Sequence, residues 1–146
     1  MAAFTKYNFF VQDLCEGKHN FSTSSGGVYK VLLTNTAPAP ATDHTYSGIS
    51  ANELSATNGY TAGGATLTTS SEGQTSGTEK VVVSAASPTW TATGSMGPFR
   101  YAVVYRSDDT NKGLVGSFDY GSSITLNSGD TFTVSFDGTN GLFQLT

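Results

Sequence analysis

Residues 97–138, GPFRYAVVYRSDDTNKGLVGSFDYGSSITLNSGDTFTVSFDG, constrain the fold more than any other part of the chain, because apolar and polar residues alternate there between closely spaced turn signals. Successive side chains of an extended chain point to opposite sides, so Phe99, Tyr101, Val103 and Tyr105 share one face while Arg100 and Arg106 fall on the other. Phe132, Val134 and Phe136 likewise face away from Thr131, Thr133 and Ser135, in residue types that suit a half-buried pleated surface. The run predicts four consecutive antiparallel strands, at 99–106, 116–120, 122–126 and 131–136, each packed on one face and at least partly wet on the other.

Further strands are expected at 28–34, 79–86, 89–93 and 142–145. Eight or so short strands with turn signals between them predict an all-β fold, an antiparallel β-sandwich or jelly roll, with a short N-terminal helix or arm. The helix is read from Tyr7, Phe10, Val11 and Leu14 at i, i+3, i+4 and i+7, with Thr5 as N-cap and Gly17 as the stop. So short a helix needs a surface to lie on, either the sandwich or a partner, and deleting it is expected to leave the sheet folded. Ala37-Pro38-Ala39-Pro40 ends the 28–34 strand, since proline carries no amide for a ladder. Residues 41–71 then read as a long connection, with a helical turn near 50–54 and only Tyr60 and Leu67 as anchors. Connections that long are usually functional or disordered, which makes this one a candidate contact surface. The 146 residues are expected to form a single domain, with an N-terminal arm at 1–20, an excursion at 35–71 and the main sheet region at 79–146.

Charged residues make up 12% of the chain, about half the usual fraction of roughly 25%, so Ser, Thr, Asn and Gly must form the surface. A net charge of -4 with no basic stripe argues against gripping nucleic-acid phosphates. Cys15 has no second cysteine to pair with and reads as a small buried hydrophobe, compatible with a reducing cytoplasm. No stretch has the length of a membrane span and no secretory signal is evident, so synthesis inside a cell, with no membrane partner, is the expectation.

No signature motif of a hydrolase, zinc enzyme or nucleotide binder occurs, and neither a catalytic residue, a cofactor nor a metal site is expected. His19, at the helix exit, suits the negative end of the dipole, while His44 sits in a loop 25 positions away without a partner at metal-ligand spacing. Asp108, Asp109, Asn111 and Gly113 read as a hairpin turn rather than part of a calcium loop, because position twelve from Asp109 is Tyr120. Asp119 and Asp130 beside glycines also read as turn residues rather than paired glycosidase acids. Trp90, Tyr46 and Tyr60 are candidates for a sugar-stacking platform, although the phase of Trp90 with Ala92 places the indole in the core.

The opening FTKYNFFVQDLCEGKHN, the strand and turn KVLLTNTAP and the 97–138 run together resemble a family of bacteriophage capsid decoration, or cement, proteins with a jelly-roll-like fold. NGYTAGG at 58–64 looks like that family's variable insertion. The resemblance implies a virion structural protein without enzymatic activity, made in the host bacterial cytoplasm and bound to the outer surface of the head. Its partners would be the major capsid protein and copies of itself, as a dimer or trimer. The expected interface residues are Phe4, Tyr7, Phe10, Val11 and Leu14 of the arm with Tyr46 and Tyr60 of the excursion. A tail or fibre component and a carbohydrate-binding β-sandwich module are the alternatives.

Overall fold

Two long strands, β7 (Met96–Arg106) and β8 (Leu114–Leu126), pair antiparallel at the centre of the molecule and account for most of the alternating run. The structure, a computed structural model, describes residues 3–83, 87–137 and 139–145, with the backbone alone at 70 and 80–83. Its elements begin with β1 (Phe4–Lys6), α1 (Asn8–Cys15), β2 (Tyr29–Thr34), α2 (Tyr46–Ile49) and a 3-10 turn at Ser50–Asn52. β3 (Ala65–Leu67), β4 (Thr69–Thr75), β5 (Thr78–Val83) and β6 (Thr89–Thr91) precede β7 and β8, and β9 (Thr131–Thr133) and β10 (Phe143–Leu145) follow.

A five-stranded sheet, β1-β8-β7-β2-β3, packs against two smaller ones, β10-β5-β4 and β6-β9, and every pairing is antiparallel. The fold is therefore an all-β sandwich with a short helix, and no barrel closes among the described residues. Rings join the layers. Phe143 of β10 meets Phe4, Phe10 and Phe21, and Phe132 of β9 meets Phe99 at 4.8 Å between centroids. Phe10, Phe21, Phe99 and Phe143 belong to one buried cluster, against which the half-buried Phe4 and Phe132 pack.

The four strands expected in the central run become three, because 116–120 and 122–126 form one bent strand. Gly121, at φ +99°, takes up the bend, and the register slips between Tyr101↔Asp119 and Phe99↔Ile124. The expected wet face of β7 is also lost over 102–105, where Ala102, Val103, Val104 and Tyr105 are all buried. β7 lies in the middle of its sheet and both faces are covered there. Tyr105 stacks on Tyr46 of the long connection, while Tyr29, which by register lies on the opposite face, stacks on Phe21. Along 131–136 the expected alternation holds, with Phe132, Val134 and Phe136 half-buried and Thr131, Thr133 and Ser135 exposed.

The long connection is more ordered than a loop. It carries α2, the 3-10 turn, β3 and the start of β4, and its expected anchors Tyr60 and Leu67 are both buried. The strand expected at 79–86 is described as far as Val83, and 84–86 lie outside the described residues.

Candidate functional site

α1 does not present the face its spacing predicts. Its buried line is Tyr7, Phe10 and Asp13, while Leu14 is half-buried and Val11 is 43% exposed. Tyr7 is the N-cap residue rather than a helical one, and Thr5, the expected cap, pairs with Ser117 in β1. The stop is as expected. Gly17, at φ +72°, ends the helix in a Schellman arrangement, with Lys18 N donating to Asp13 O at 2.8 Å and Gly17 N to Leu14 O at 3.1 Å. Cys15 faces outward and is exposed, contrary to the buried position expected of it.

The rotation of α1 points a carboxylate inward, and three later segments close on it. Asp13 is 0% exposed. His44 Nε2 lies 3.1 and 3.0 Å from its two oxygens, and Lys18 Nζ lies 3.3 Å from Oδ1. His19 Nε2 is 3.9 Å from Oδ2, too far for a hydrogen bond, and this buried nitrogen has no hydrogen-bond partner among the described residues. Its Nδ1 lies 3.4 Å from the Tyr29 hydroxyl, which accepts from Asn20 N. Burial holds the His19 pKa down at about 4, with the Asp13 carboxylate opposing that shift, so the ring is neutral near pH 7. That neutral ring replaces the charged dipole partner expected at the helix exit. His44 is kept in place by stacking on Phe9, with centroids 4.3 Å apart. Gly113 completes the pocket, since a Cβ there would lie 2.8 Å from Asp13 Oδ2 and 3.1 Å from His19 Nε2.

The two histidines thus meet at one carboxylate, which their separation in sequence did not reveal. Asp13 sits three positions after Phe10 on the buried side of α1, and that spacing was the available signal. Among the described residues no group of three His, Cys, Asp or Glu side chains is arranged to hold a metal ion. The cluster fastens the helix, the segment after it and the 37–45 turn to one another.

A second carboxylate organises the long connection. Glu53 accepts from the hydroxyls of Tyr46 and Tyr60, each at 2.7 Å, and from Gly63 N at 2.6 Å. Burial, with Glu53 adding to it, pushes the Tyr46 hydroxyl up to about 12 and raises that of Tyr60 further. Tyr60 Oη also accepts from Leu33 N at 3.1 Å, and Leu54 N donates to Leu33 O at 2.8 Å. Those bonds satisfy the end of β2 beyond the reach of β3, which pairs only with 29–31.

The expected interface residues therefore divide. Tyr7, Phe10 and Tyr60 are core side chains and offer no surface to a partner, because the arm and the excursion use them to hold on to the sheet. Phe4 is half-buried in β1, with its ring 5.5 Å from Phe118, and Leu14 and Tyr46 are half-buried as well. Val11 alone of the seven is exposed. A sugar platform of Trp90, Tyr46 and Tyr60 is likewise not on the surface, since Trp90 is 6% exposed and packed between Tyr60 and Phe132. Asp119 is bound by both Arg100 Nε and Nη2, at 2.7 and 2.8 Å, which holds its carboxyl at about 2, and Asp130 accepts from Asn127 N in its turn. The 107–113 connection is a turn, in which Lys112 N donates to Asp109 O.

An apolar cleft of about 280 Å3 lies between β7, β8 and the 132–135 segment, walled by Phe99, Phe118, Tyr120, Phe132 and Val134. Comparison with family models, with curated proteins and with solved structures found no match to this chain. No helix among the described residues is long and apolar enough to cross a membrane.

Proposed function

We propose that this chain is a structural protein of a bacteriophage particle that binds the outside of the capsid and stabilises the shell. The observation that carries the reading is the long connection, which Glu53 fastens to the sheet while leaving 55–59, 61 and 62 exposed and free of charged residues. A fixed, uncharged polar surface loses little conformational entropy when it docks, which favours binding at many equivalent sites of a lattice. The sequence resemblance, the low charge and the acidic balance support the same reading.

The physical mechanism is linkage. A protein that binds assembled subunits and not free ones stabilises the assembled state by mass action. A symmetric dimer or trimer strengthens this through avidity, since each further contact is made within one complex. In this reading the contact surface is the outer side of the 35–64 segment together with Val11, and the buried arm residues support that surface from beneath.

Purified particles test the proposal. Quantitative mass spectrometry is expected to find this chain at copy numbers comparable with the major capsid protein, and a reconstruction is expected to show it outside the head. A few copies located at the tail would replace the reading with that of a tail or fibre component.

A further inference from the structure

A small recess lies beneath the turn that follows β2, apart from the Asp13 cluster and from the apolar cleft. Its volume is about 140 Å3, and Ala37, Pro38, Ala39, Ile49 and Val103 form its apolar walls. Asp43 is the one charged residue that lines it, and among the described residues no cation pairs with that carboxylate. The carboxylate is fixed in advance, because its Oδ2 accepts from Ala39 N at 2.7 Å while Asp43 N donates to Ala39 O at 2.8 Å. Its Oδ1 has no hydrogen bond among the described residues. The Thr34 hydroxyl donates to Asn52 O and accepts from Thr36 N, which ties the two sides of the mouth together. Tyr7, at the start of α1, backs the recess. Its buried hydroxyl has no hydrogen-bond partner among the described residues, and Ser117 beside it does not reach hydrogen-bonding geometry. Burial, then the charge of Asp43, pushes that hydroxyl up, so it stays protonated within the field of the carboxylate. A buried hydroxyl left without a partner is costly, and folded proteins keep few of them.

We infer that this recess binds a primary alkylammonium group, either a free amine or the end of a lysine side chain, with the ammonium between Asp43 Oδ1 and the Tyr7 hydroxyl and the methylenes along the apolar walls. An unpaired carboxylate in a half-enclosed site favours a cation and repels an acid. Arginine is disfavoured, because its planar fork binds a carboxylate through both oxygens and Ala39 N already occupies one of them. A divalent metal ion demands several oxygen ligands with more than a single carboxylate among them, and the recess supplies only Asp43. A lysine stem is apolar up to its terminal ammonium, which matches apolar walls that end at a carboxylate. The size agrees, since a cavity of roughly 150 Å3 takes up benzene and a butylammonium ion is of similar bulk. The inference goes beyond the proposed function, since it names a ligand chemistry that holds for whatever assembly the chain belongs to.

The test is a titration of the isotope-labelled full chain with n-butylammonium chloride, with n-butanol and sodium chloride as controls. Saturable amide shifts are expected at 36–43 and 49–52 with the amine in the millimolar range. Butanol keeps the stem without the charge and is expected to bind about tenfold or more weakly, and sodium chloride is expected to reproduce none of the shifts. Asp43→Asn keeps an oxygen for Ala39 N but removes the charge, so it is expected to weaken binding about tenfold while the circular dichroism stays unchanged. Tyr7→Phe removes only the hydroxyl and is expected to weaken binding about threefold. Lysine blocked at both its α-amino and carboxyl groups separates the two sources. Affinity equal to that of butylammonium assigns the recess to a lysine side chain, and failure to bind where butylammonium binds assigns it to a free amine. Equal binding of butanol, or full affinity in either variant, would overturn the inference. Shifts that sodium chloride reproduces, or no saturable shift at about 100 mM amine, would overturn it as well.

Discussion

Asp13, His19 and Gly64 each hold their place through an interaction that one atom added or removed would break. His19 makes stability depend on pH. Its ordinary pKa is 6.5 and its folded value about 4, so the unfolded chain binds the proton more readily. Neutral His19 thus supports the fold above about pH 6.5, and that support is lost as pH falls toward 4, by about 3 kcal/mol in all. Chemical denaturation between pH 7 and 4 is expected to show this slope, and His19→Phe is expected to flatten it. An unchanged slope in the variant would assign the pH dependence to the carboxylates instead. Gly64 combines φ +71° with a backbone approach, since a Cβ there would collide with the carbonyl oxygen of Val31 in β2. Gly64→Ala is expected to cost about 3 kcal/mol, from left-handed strain and from displacing a central strand, which thermal denaturation would register. The pair Gly63-Gly64 was visible in the sequence as a turn signal, but its closeness to Val31 was not.

Among the elements, the arm and the long connection depart furthest from their sequence reading. Both have the composition of segments that reach for a partner, and both are bound into the fold by side chains that also suit an interface. Tyr7 and Phe10 satisfy helical periodicity equally well on a capsid or on their own sheet, and the sheet takes them. The buried helix line shifted from Val11 to Asp13 because Lys18, just beyond the helix, and His44, distant in sequence, were available to satisfy a carboxylate. Hydrophobic patterning cannot register such a partner. For the connection, Glu53→Ala leaves two tyrosine hydroxyls and the Gly63 amide without their acceptor, and an expected cost of about 2 kcal/mol follows. Hydrogen exchange is expected to quicken roughly tenfold or more at 54–64 while β7 and β8 keep their protection. Uniform loss of protection would show that the connection unfolds only with the whole molecule.

At the scale of the whole molecule, the three sheets and the helix share one buried cluster, so a single cooperative unfolding transition is expected in calorimetry. Deleting 1–14 is expected to abolish that transition rather than leave a folded sheet. It removes Tyr7 and Phe10, each worth about 3–5 kcal/mol as a buried aromatic, from a total stability of about 5–15 kcal/mol. The sequence by itself determined the β7–β8 pair, the strands at 29–34 and 89–91, the helix stop at Gly17 and the weakly charged surface. Those properties follow from periodicity and from residues that act on their immediate neighbours. Only the tertiary structure decided that Phe10 and Tyr60 lie inside, that two histidines far apart in sequence come to one carboxylate, that β7 is covered on both faces, and that β9 pairs with β6 rather than following β8 in one sheet. Each of those outcomes depends on which segments of the chain come to lie side by side, and local pattern carries no record of that.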